Sequence, residues 1–77
     1  MPSKAERIAA GLGGIDNILS SEGDGTRLRV EIVNPELVKD VDLKAAGAHG
    51  VVKMGTDIQV IVGTEANAIA TQIQNMK

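Results

Sequence analysis

Two arginines and two carboxylates lie close together in the sequence, around a glycine-rich turn. Arg27 and Arg29 are two residues apart in an alternating segment that predicts a β-strand, so their guanidinium groups leave the same face. The strand follows Glu22-Gly23-Asp24-Gly25, whose glycines let backbone N–H groups approach a ligand closely. Two forked donors beside such a turn can bind a phosphoryl group. The spacing equally allows a solvated sheet face on which the arginines pair with Glu31 or Asp24.

The composition excludes several other kinds of chemistry. The chain of 77 residues has no cysteine and no aromatic residue, and 8 Lys+Arg against 10 Asp+Glu give a formal net charge of −2. Without cysteine it has no disulfide, thiolate metal site or thiol nucleophile. Without aromatic rings for base stacking, and with a net negative charge, we expect it to bind no nucleic acid. We expect no cofactor and no metal, because Glu22 and Asp24 are too few oxygen ligands for a cation.

The first half of the chain predicts a helix and a hairpin. Ser3 and Glu6 fit a capping box, and the apolar spacing predicts a helix over residues 4–12 that Gly13-Gly14 ends. Residues 17–21 lead into a turn at Gly23-Asp24-Gly25, and a strand follows over residues 26–32.

The second half predicts a helix, a second hairpin and a last helix. A short helix over residues 40–46 places Leu43 inward, and strands 50–54 and 58–62 are joined by Gly55-Thr56-Asp57. Thr64 is predicted to cap the last helix, whose apolar stripe is Ala66, Ile69, Ala70, Ile73 and Met76. The order α-β-β-α-β-β-α predicts an α+β fold. We expect a two-layer sandwich in which a four-stranded antiparallel sheet carries three helices on one face, as a single domain over residues 1–77.

Four stretches carry a resemblance that extends along almost the whole chain. They are LGGIDNI (12–18), TRLRV (26–30), LKAAGAHGVV (43–52) and IQVIVG (58–63). In this order and spacing the chain resembles the B component (enzyme IIB) of the glucose and N-acetylglucosamine branch of the bacterial sugar phosphotransferase system. It is most similar to the free-standing N-acetylglucosamine type.

The resemblance implies a phosphocarrier. In this family a cysteine in the turn before the TRLR strand accepts a phosphoryl group from a phosphohistidine of the A component (enzyme IIA). The cysteine then passes it to a sugar, N-acetylglucosamine or glucose, bound in the membrane C component (enzyme IIC). The family's two arginines match Arg27 and Arg29, which are expected to hold the phosphoryl group. The other residues predicted to bind it are Gly23, Gly25, Thr26 and Gln59, the last because the family has a glutamine there.

The sequence departs from the family at the acceptor itself. Counting back two residues from Thr26 places the acceptor position at Asp24, and Gly25 stands where a larger residue is usual. We favour a cysteine-to-aspartate replacement that imitates the phosphocysteine or removes a reactive thiol. A natural paralogue that has lost transfer, or an acceptor that forms an aspartyl phosphate, are the alternatives. We therefore expect a transfer-inactive chain.

Localisation and partners follow from the same resemblance. The sequence has no apolar run long enough to span a membrane and begins without a signal-peptide pattern, which predicts a cytoplasmic protein. We expect it to join the inner face of the membrane through the C component, either transiently or by covalent fusion, and to be a monomer. A docking or regulatory module on the same fold is the second functional hypothesis. His49 is read as an ordinary surface residue, and Ile61 as an outward-facing residue that could belong to a docking surface.

Overall fold

The computed structural model describes residues 3–77. Within this range, helices and strands follow in the order α1 (Lys4–Gly11), β1 (Ile18–Asp24), β2 (Arg27–Ile32), α2 (Asp40–Ala45), β3 (Gly50–Met54), β4 (Asp57–Ile61) and α3 (Ala66–Asn75). Short 3-10 turns at Ile15–Asn17, Pro35–Leu37 and Gly63–Glu65 connect several of them. The predicted order α-β-β-α-β-β-α is confirmed.

The strands form one sheet in the order β1-β2-β4-β3, and each neighbouring pair is antiparallel. Strict alternation in β2 buries Leu28, Val30 and Ile32 and leaves the residues between them exposed. These side chains share a buried cluster with residues from all three helices, among them Ile8, Leu43 and Ile73. The sheet therefore has an inner face against the helices and an outer face that they leave uncovered, which confirms the predicted α+β class.

Helix α1 begins as predicted, because both hydrogen bonds of the capping box are present. Glu6 N donates to Ser3 Oγ and Ser3 N donates to Glu6 Oε1, each over 3.2 Å. The helix ends at Gly11, one residue before the predicted end, and Leu12 is its C-cap. Gly13 then takes a φ of +105°, a conformation that glycine adopts far more readily than other residues.

The prediction that Thr64 caps the last helix is wrong. Thr64 lies in the 3-10 turn Gly63–Glu65, and α3 begins only at Ala66. The N–H groups of Val62 and Gly63 both donate to Thr26 O, over 3.0 and 3.1 Å, which holds this segment against the first hairpin before the helix can begin. The apolar stripe of α3 is otherwise as predicted, with Met76 partly buried just beyond the helix.

The other corrections are shifts of one to three residues at element ends. Gly23 and Asp24 belong to β1, so the first turn consists of Gly25 and Thr26 rather than Gly23-Asp24-Gly25. Helix α2 ends at Ala45 instead of residue 46, and β4 covers 57–61 instead of 58–62. Across residues 3–77, no helix combines the length and apolar character needed to cross a bilayer.

Candidate functional site

A tight hairpin turn places Asp24 opposite Arg27. These two residues are register partners at the ends of β1 and β2, and Gly25-Thr26 connects them. Gly25 has a φ of +65° and Thr26 does not have a positive φ, which is the pattern of a type II′ turn with glycine first. The two-residue turn fixes the register, and the register places the Asp24 and Arg27 side chains on the same face.

Residues opposite Arg27 and Arg29 on both neighbouring strands lie on the same face of the sheet. Glu22 lies opposite Arg29 on β1 and β2, while Arg29 and Arg27 lie opposite Gln59 and Ile61 on β4. Because opposite residues in antiparallel strands share a face, all of these side chains belong to the outer face. The structure thus places Asp24, Arg27, Arg29 and Gln59 on one face, and for the two arginines this is what the alternation predicted.

The two arginines have different partners. Arg27 Nη1 donates a hydrogen bond of 3.1 Å to Gln59 Oε1. Arg29 Nη2 lies 3.9 Å from Asp57 Oδ2, a long ion pair between side chains that are both nearly half exposed. Within residues 3–77 the carboxylate of Asp24 forms no ion pair, although Arg27 is its neighbour across the strands. The alternative in which the arginines pair with Glu31 or Asp24 is therefore wrong in its partners, and Asp57 is the carboxylate nearest to Arg29 in an ion pair.

The remaining predicted site residues have clear positions in the hairpin. Thr26 is exposed in the turn, and its carbonyl oxygen accepts the two hydrogen bonds from Val62 and Gly63 described above. Gly25 has open space around it. Gly23 faces inward and packs against Asn67 at the start of α3, where an added Cβ would lie 2.7 Å from Asn67 Cα. Close packing thus explains a glycine at position 23 without any ligand.

Asp57 is the site residue that the sequence analysis missed. It was assigned to a turn, but it is the first residue of β4 and lies on the outer face beside Arg29. Ile58 points into the core, so alternation along the strand puts the preceding residue, Asp57, on the outer face. The predicted strand began at Ile58 and therefore left Asp57 out. An open depression on this face is lined by Arg29 together with Ser20, Glu22, Val30, Glu31, Thr56 and Asp57.

His49 and Ile61 lie at the same end of the sheet as the first turn. His49 N donates to Ile61 O over 2.7 Å, and the exposed ring places Nε2 about 4 Å from where a Cβ of Gly63 would stand. Ile61 is half-buried on the outer face, opposite Arg27. Over residues 3–77, no group of three or more His, Asp or Glu side chains has the arrangement of a metal site.

This arrangement is suited to holding an anion rather than to proton transfer or metal chemistry. Arg27 has guanidinium N–H groups beyond the one that Gln59 accepts, and both arginines project from β2, a strand paired on both sides, onto the exposed outer face. Asp24 stands beside them at the end of its own strand, at the place where a nucleophile could face an incoming phosphoryl group.

Comparisons with known proteins agree with this geometry. No model of a protein family matches the chain. The chain is 64% identical over 76 residues to the "PTS system N-acetylglucosamine-specific EIIB component" of Streptomyces coelicolor, with 99% of each chain covered. It is 43% identical over 74 residues to the "PTS system alpha-glucoside-specific EIICB component" of Leptotrichia buccalis, covering 95% of this chain but 14% of that protein. It is also 35% identical to the "Phosphotransferase enzyme IIB component GlvB" of Escherichia coli, covering 95% of this chain and 46% of that one.

A solved structure has the same fold. The crystal structure of one domain of the PTS system IIabc component from Clostridium difficile superposes with a TM-score of 0.72 at 27% identity, covering 95% of this chain and 81% of that one. The match with the Streptomyces coelicolor protein covers nearly all of both chains, and the TRLRV strand with its turn stands at the exposed end of the sheet. The chain therefore belongs to the EIIB components of the phosphotransferase system (PTS).

Proposed function

We propose that this chain has the scaffold of a phosphocarrier for N-acetylglucosamine or glucose but does not carry the phosphoryl group itself, because Asp24 occupies the acceptor position. The observation that supports this proposal is the pairing of Asp24 with Arg27 across the Gly25-Thr26 turn. A nucleophile at position 24 would have the guanidinium group of Arg27 on the same face of the hairpin. The proposal takes residues 1–77 as a single IIB domain.

An aspartate is a partial imitation of a phosphorylated acceptor. A carboxylate has one negative charge and two oxygens, whereas a phosphoryl group carries roughly −1.5 to −2 charges and three acceptor oxygens. Asp24 is exposed and unpaired within the described residues, so it presents its charge outward beside Arg27. We infer that the chain resembles the phosphorylated state in charge more than the unphosphorylated one.

Two partners follow from this proposal. The phosphorylated A component would approach the first turn, and the membrane C component would hold the sugar, as the name of the Streptomyces coelicolor relative suggests for N-acetylglucosamine. The name of the Leptotrichia buccalis protein combines the C and B components in one chain. This supports a place for the B component at the inner face of the membrane.

The first experiment tests position 24. Each variant is incubated with the phosphorylated A component, and its intact mass is measured. The chain with Asp24 should gain no phosphoryl group, whereas Asp24→Cys should gain one. Ser20→Cys is the matched control, because it adds a thiol to the same strand and face away from Arg27 and should gain none. A phosphoryl group on Asp24 would overturn the inactive proposal, and an unmodified Asp24→Cys chain would overturn the carrier scaffold.

The role of Arg27 is tested once the thiol is in place. In membrane vesicles that contain the C component, adding Arg27→Ala to Asp24→Cys should lower the rate of sugar phosphorylation about a hundredfold, the usual cost of one electrostatic donor. The urea midpoint should change little, because Arg27 is exposed. Lys44→Ala removes the same charge from the exposed side of α2 and should leave the rate unchanged. Equal losses in the two variants would contradict a role for Arg27 at the site.

The second candidate function is a docking or regulatory module without transfer. The position of Asp24 opposite Arg27 favours it as well, because the charge of a carboxylate is permanent and does not depend on a phosphoryl donor. The two candidates differ in the Asp24→Cys variant: an interaction module that has lost other transfer residues would dock the A component and still gain no phosphoryl group.

A further inference from the structure

Asp24 is the one aspartate in the chain that a glycine follows. The other aspartates, which are Asp16, Asp40, Asp42 and Asp57, precede Asn, Val, Leu and Ile, and no asparagine precedes a glycine. The side-chain carboxyl of an aspartate can react with the backbone nitrogen of the next residue, because attack on Cγ closes a five-membered ring. A side chain on that next residue hinders the approach, and glycine has no Cβ to do so.

The first turn leaves both reacting groups accessible. Asp24 is exposed, and its carboxylate forms no ion pair within residues 3–77. Gly25 opens the two-residue turn, and its N–H takes part in none of the backbone hydrogen bonds that turns and loops make in that range. A Cβ added at Gly25 would meet no atom within 4 Å. The nitrogen next to Asp24 therefore has no such hydrogen bond to break, and the turn has room to move around it.

Asp57 shows how the fold protects an aspartate elsewhere on the same face. Its carboxylate lies 3.9 Å from Arg29 Nη2, and the residue that follows it is the β-branched Ile58, which is fully buried. Strand β4 has a neighbouring strand on each side, so the backbone nitrogen of Ile58 lies inside the sheet. Ring closure at Asp57 would require this part of the sheet to open, whereas ring closure at Asp24 requires only the turn to move.

We propose that Asp24 is a site of spontaneous conversion to isoaspartate. Gly25 N forms a bond to Cγ of the protonated Asp24 carboxyl, and the carboxyl hydroxyl leaves with the amide proton as water, which gives a succinimide. Water then adds to one of the two ring carbonyls. Addition at Cγ restores aspartate, whereas addition at the main-chain carbonyl carbon leaves the peptide bond on Cγ. One water leaves and one enters, so the reaction needs no other reactant and does not change the mass.

The conversion changes the position that faces Arg27. Isoaspartate keeps one carboxylate but carries it directly on Cα, and Cβ and Cγ become part of the main chain. The length of the turn fixes the register of a hairpin, and Asp24 and Arg27 are the register partners next to the turn. The longer main chain should therefore displace the carboxylate from Arg27. A chain whose charge at the acceptor position is a carboxylate loses that arrangement as it ages.

The test follows oxygen-18 from water into the folded chain. The chain is incubated at neutral pH and physiological temperature in water enriched in oxygen-18, and is then digested in ordinary water. Each opening of the succinimide adds one oxygen atom from water, so fragment ions should place oxygen-18 at residue 24. A second peptide of the same composition, containing isoaspartate, should separate by chromatography. Asp57 should gain no label, and it serves as the control within the same molecule.

Two variants separate the chemistry of residue 24 from the properties of the turn. Asp24→Cys has no carboxyl carbon at this position, so it should gain no label. Asp24→Asn closes the same ring with loss of ammonia and should yield both aspartate and isoaspartate in the folded state. The parent chain in urea reports ring closure without the constraint of the fold. In a sample of the parent aged until isoaspartate accumulates, the amide resonance of Arg27 should show a second position, because the register next to the turn has changed.

Three results would contradict the proposal. Label at Asp24 in urea but not in the folded chain would show that the turn prevents ring closure. Equal label at Asp24 and Asp57 would show that the glycine and its open turn have no part in the reaction. An Arg27 resonance that stays unchanged in the aged sample would overturn the effect on the register. All three leave the proposed function intact, since that is decided by phosphoryl transfer to Asp24→Cys.

Discussion

The guanidinium group of Arg27 is hydrogen-bonded to a neutral side chain, that of Gln59, and not to a carboxylate. A guanidinium group beside a carboxylate commonly forms a bidentate pair with it, and Asp24 is the nearest register partner of Arg27. Arg27 Nη1 instead donates to the neutral Gln59 across the next strand pair. Within residues 3–77 Arg27 therefore forms no ion pair, while Arg29 lies 3.9 Å from the carboxylate of Asp57.

Asn17 is a residue whose structural role its sequence pattern did not reveal. Its side chain is only 4% exposed. Nδ2 donates to Leu12 O over 2.7 Å and to Asn34 O over 3.0 Å, and Oδ1 accepts from Asn34 N over 2.8 Å. One amide thus joins the end of α1, the start of β1 and the turn after β2. The asparagine in the LGG-x-x-N stretch of the family resemblance has this physical explanation.

Asn17→Ala should destabilise the chain strongly. It would remove these partners from the buried carbonyl of Leu12 and from the part-buried backbone groups of Asn34, and an unpaired buried group costs about 1–3 kcal/mol, so we expect a loss of about 3 kcal/mol in the free energy of unfolding. Urea denaturation followed by circular dichroism measures it. Asn75→Ala, at the exposed end of α3, is the control and should change stability by less than about 0.5 kcal/mol. A similar small effect at Asn17 would show that its hydrogen bonds contribute little.

The sequence could predict the face on which a side chain lies, because side chains in a strand alternate between the two faces of the sheet. Alternation with a period of two placed Arg27, Arg29 and Gln59 on one face, and the structure agrees. It could not identify their partners, because a partner across strands depends on register and on strand order. For this reason Asp57 was missed, and the alternative that paired the arginines with Glu31 or Asp24 named the wrong partners.

The close contact between β1 and α3 fixes the end of the first hairpin that carries Asp24. Ser21 Oγ donates to Ala70 O over 3.0 Å, and Gln74 Nε2 donates to Ser21 O over 2.6 Å. Lys77 Nζ donates to Leu19 O on the same strand. Gln74 of α3 and Lys77 just beyond the helix thus cover backbone carbonyl groups of β1, an edge strand that would otherwise expose them to other strands. At Gly23 the helix comes closest, because no Cβ separates the strand from Asn67.

Gly23→Ala tests this close approach. Its Cβ would lie 2.7 Å from Asn67 Cα and 2.8 Å from Asn67 N, and backbone atoms of a helix cannot move aside as a flexible side chain can. We expect a loss of about 2 kcal/mol in the free energy of unfolding, as overpacking usually costs. In Asp24→Cys, the same change should also slow phosphorylation, because it displaces the strand that carries position 24.

Gly50→Ala is the matched control for that substitution. Gly50 also lies in a strand and needs no positive φ, but its added Cβ would be 3.7 Å from Ile61 Cγ1, an ordinary contact. We expect it to be neutral or to stabilise the chain by a few tenths of a kcal/mol, because alanine restricts the unfolded chain more than glycine does. Equal effects of the two substitutions in thermal denaturation would contradict the account of Gly23.

The elements were predictable to the extent that local signals specify them. The capping box, the glycine turns and the apolar stripes gave each helix and strand with ends within three residues of those in the structure. The start of α3 was not predictable, since the hydrogen bonds of Val62 and Gly63 to Thr26 join segments far apart in sequence. Nor was the strand order, because either strand of the second hairpin could pair with β2. In the structure β4 is central, and its Ile58 and Val60 are fully buried.

At the scale of the whole molecule, one aliphatic cluster supports both the helices and the site. Its members come from every helix and from the inner face of the sheet, and the chain has no aromatic residue to enlarge it. A domain of this size buries a modest fraction of its surface, and stability is about 0.05–0.15 kcal/mol per residue in typical proteins. The arginines on the outer face therefore depend on packing that lies on the opposite side of the sheet.

Leu43→Ala tests this dependence from a position remote from the site. Leu43 is fully buried on α2, and its side chain fills the space beside Gly11 of α1. The substitution should cost about 2–5 kcal/mol, a large share of the total, whereas Leu37→Ala at a 46% exposed position should cost less than about 1 kcal/mol. Because one core supports the whole fold, we expect it to unfold cooperatively. The helical circular dichroism signal and the native amide resonances of Arg27 and Arg29 should therefore disappear at the same urea midpoint in every variant. Separate midpoints for the two signals would show that the hairpin carrying the site folds independently of the helices.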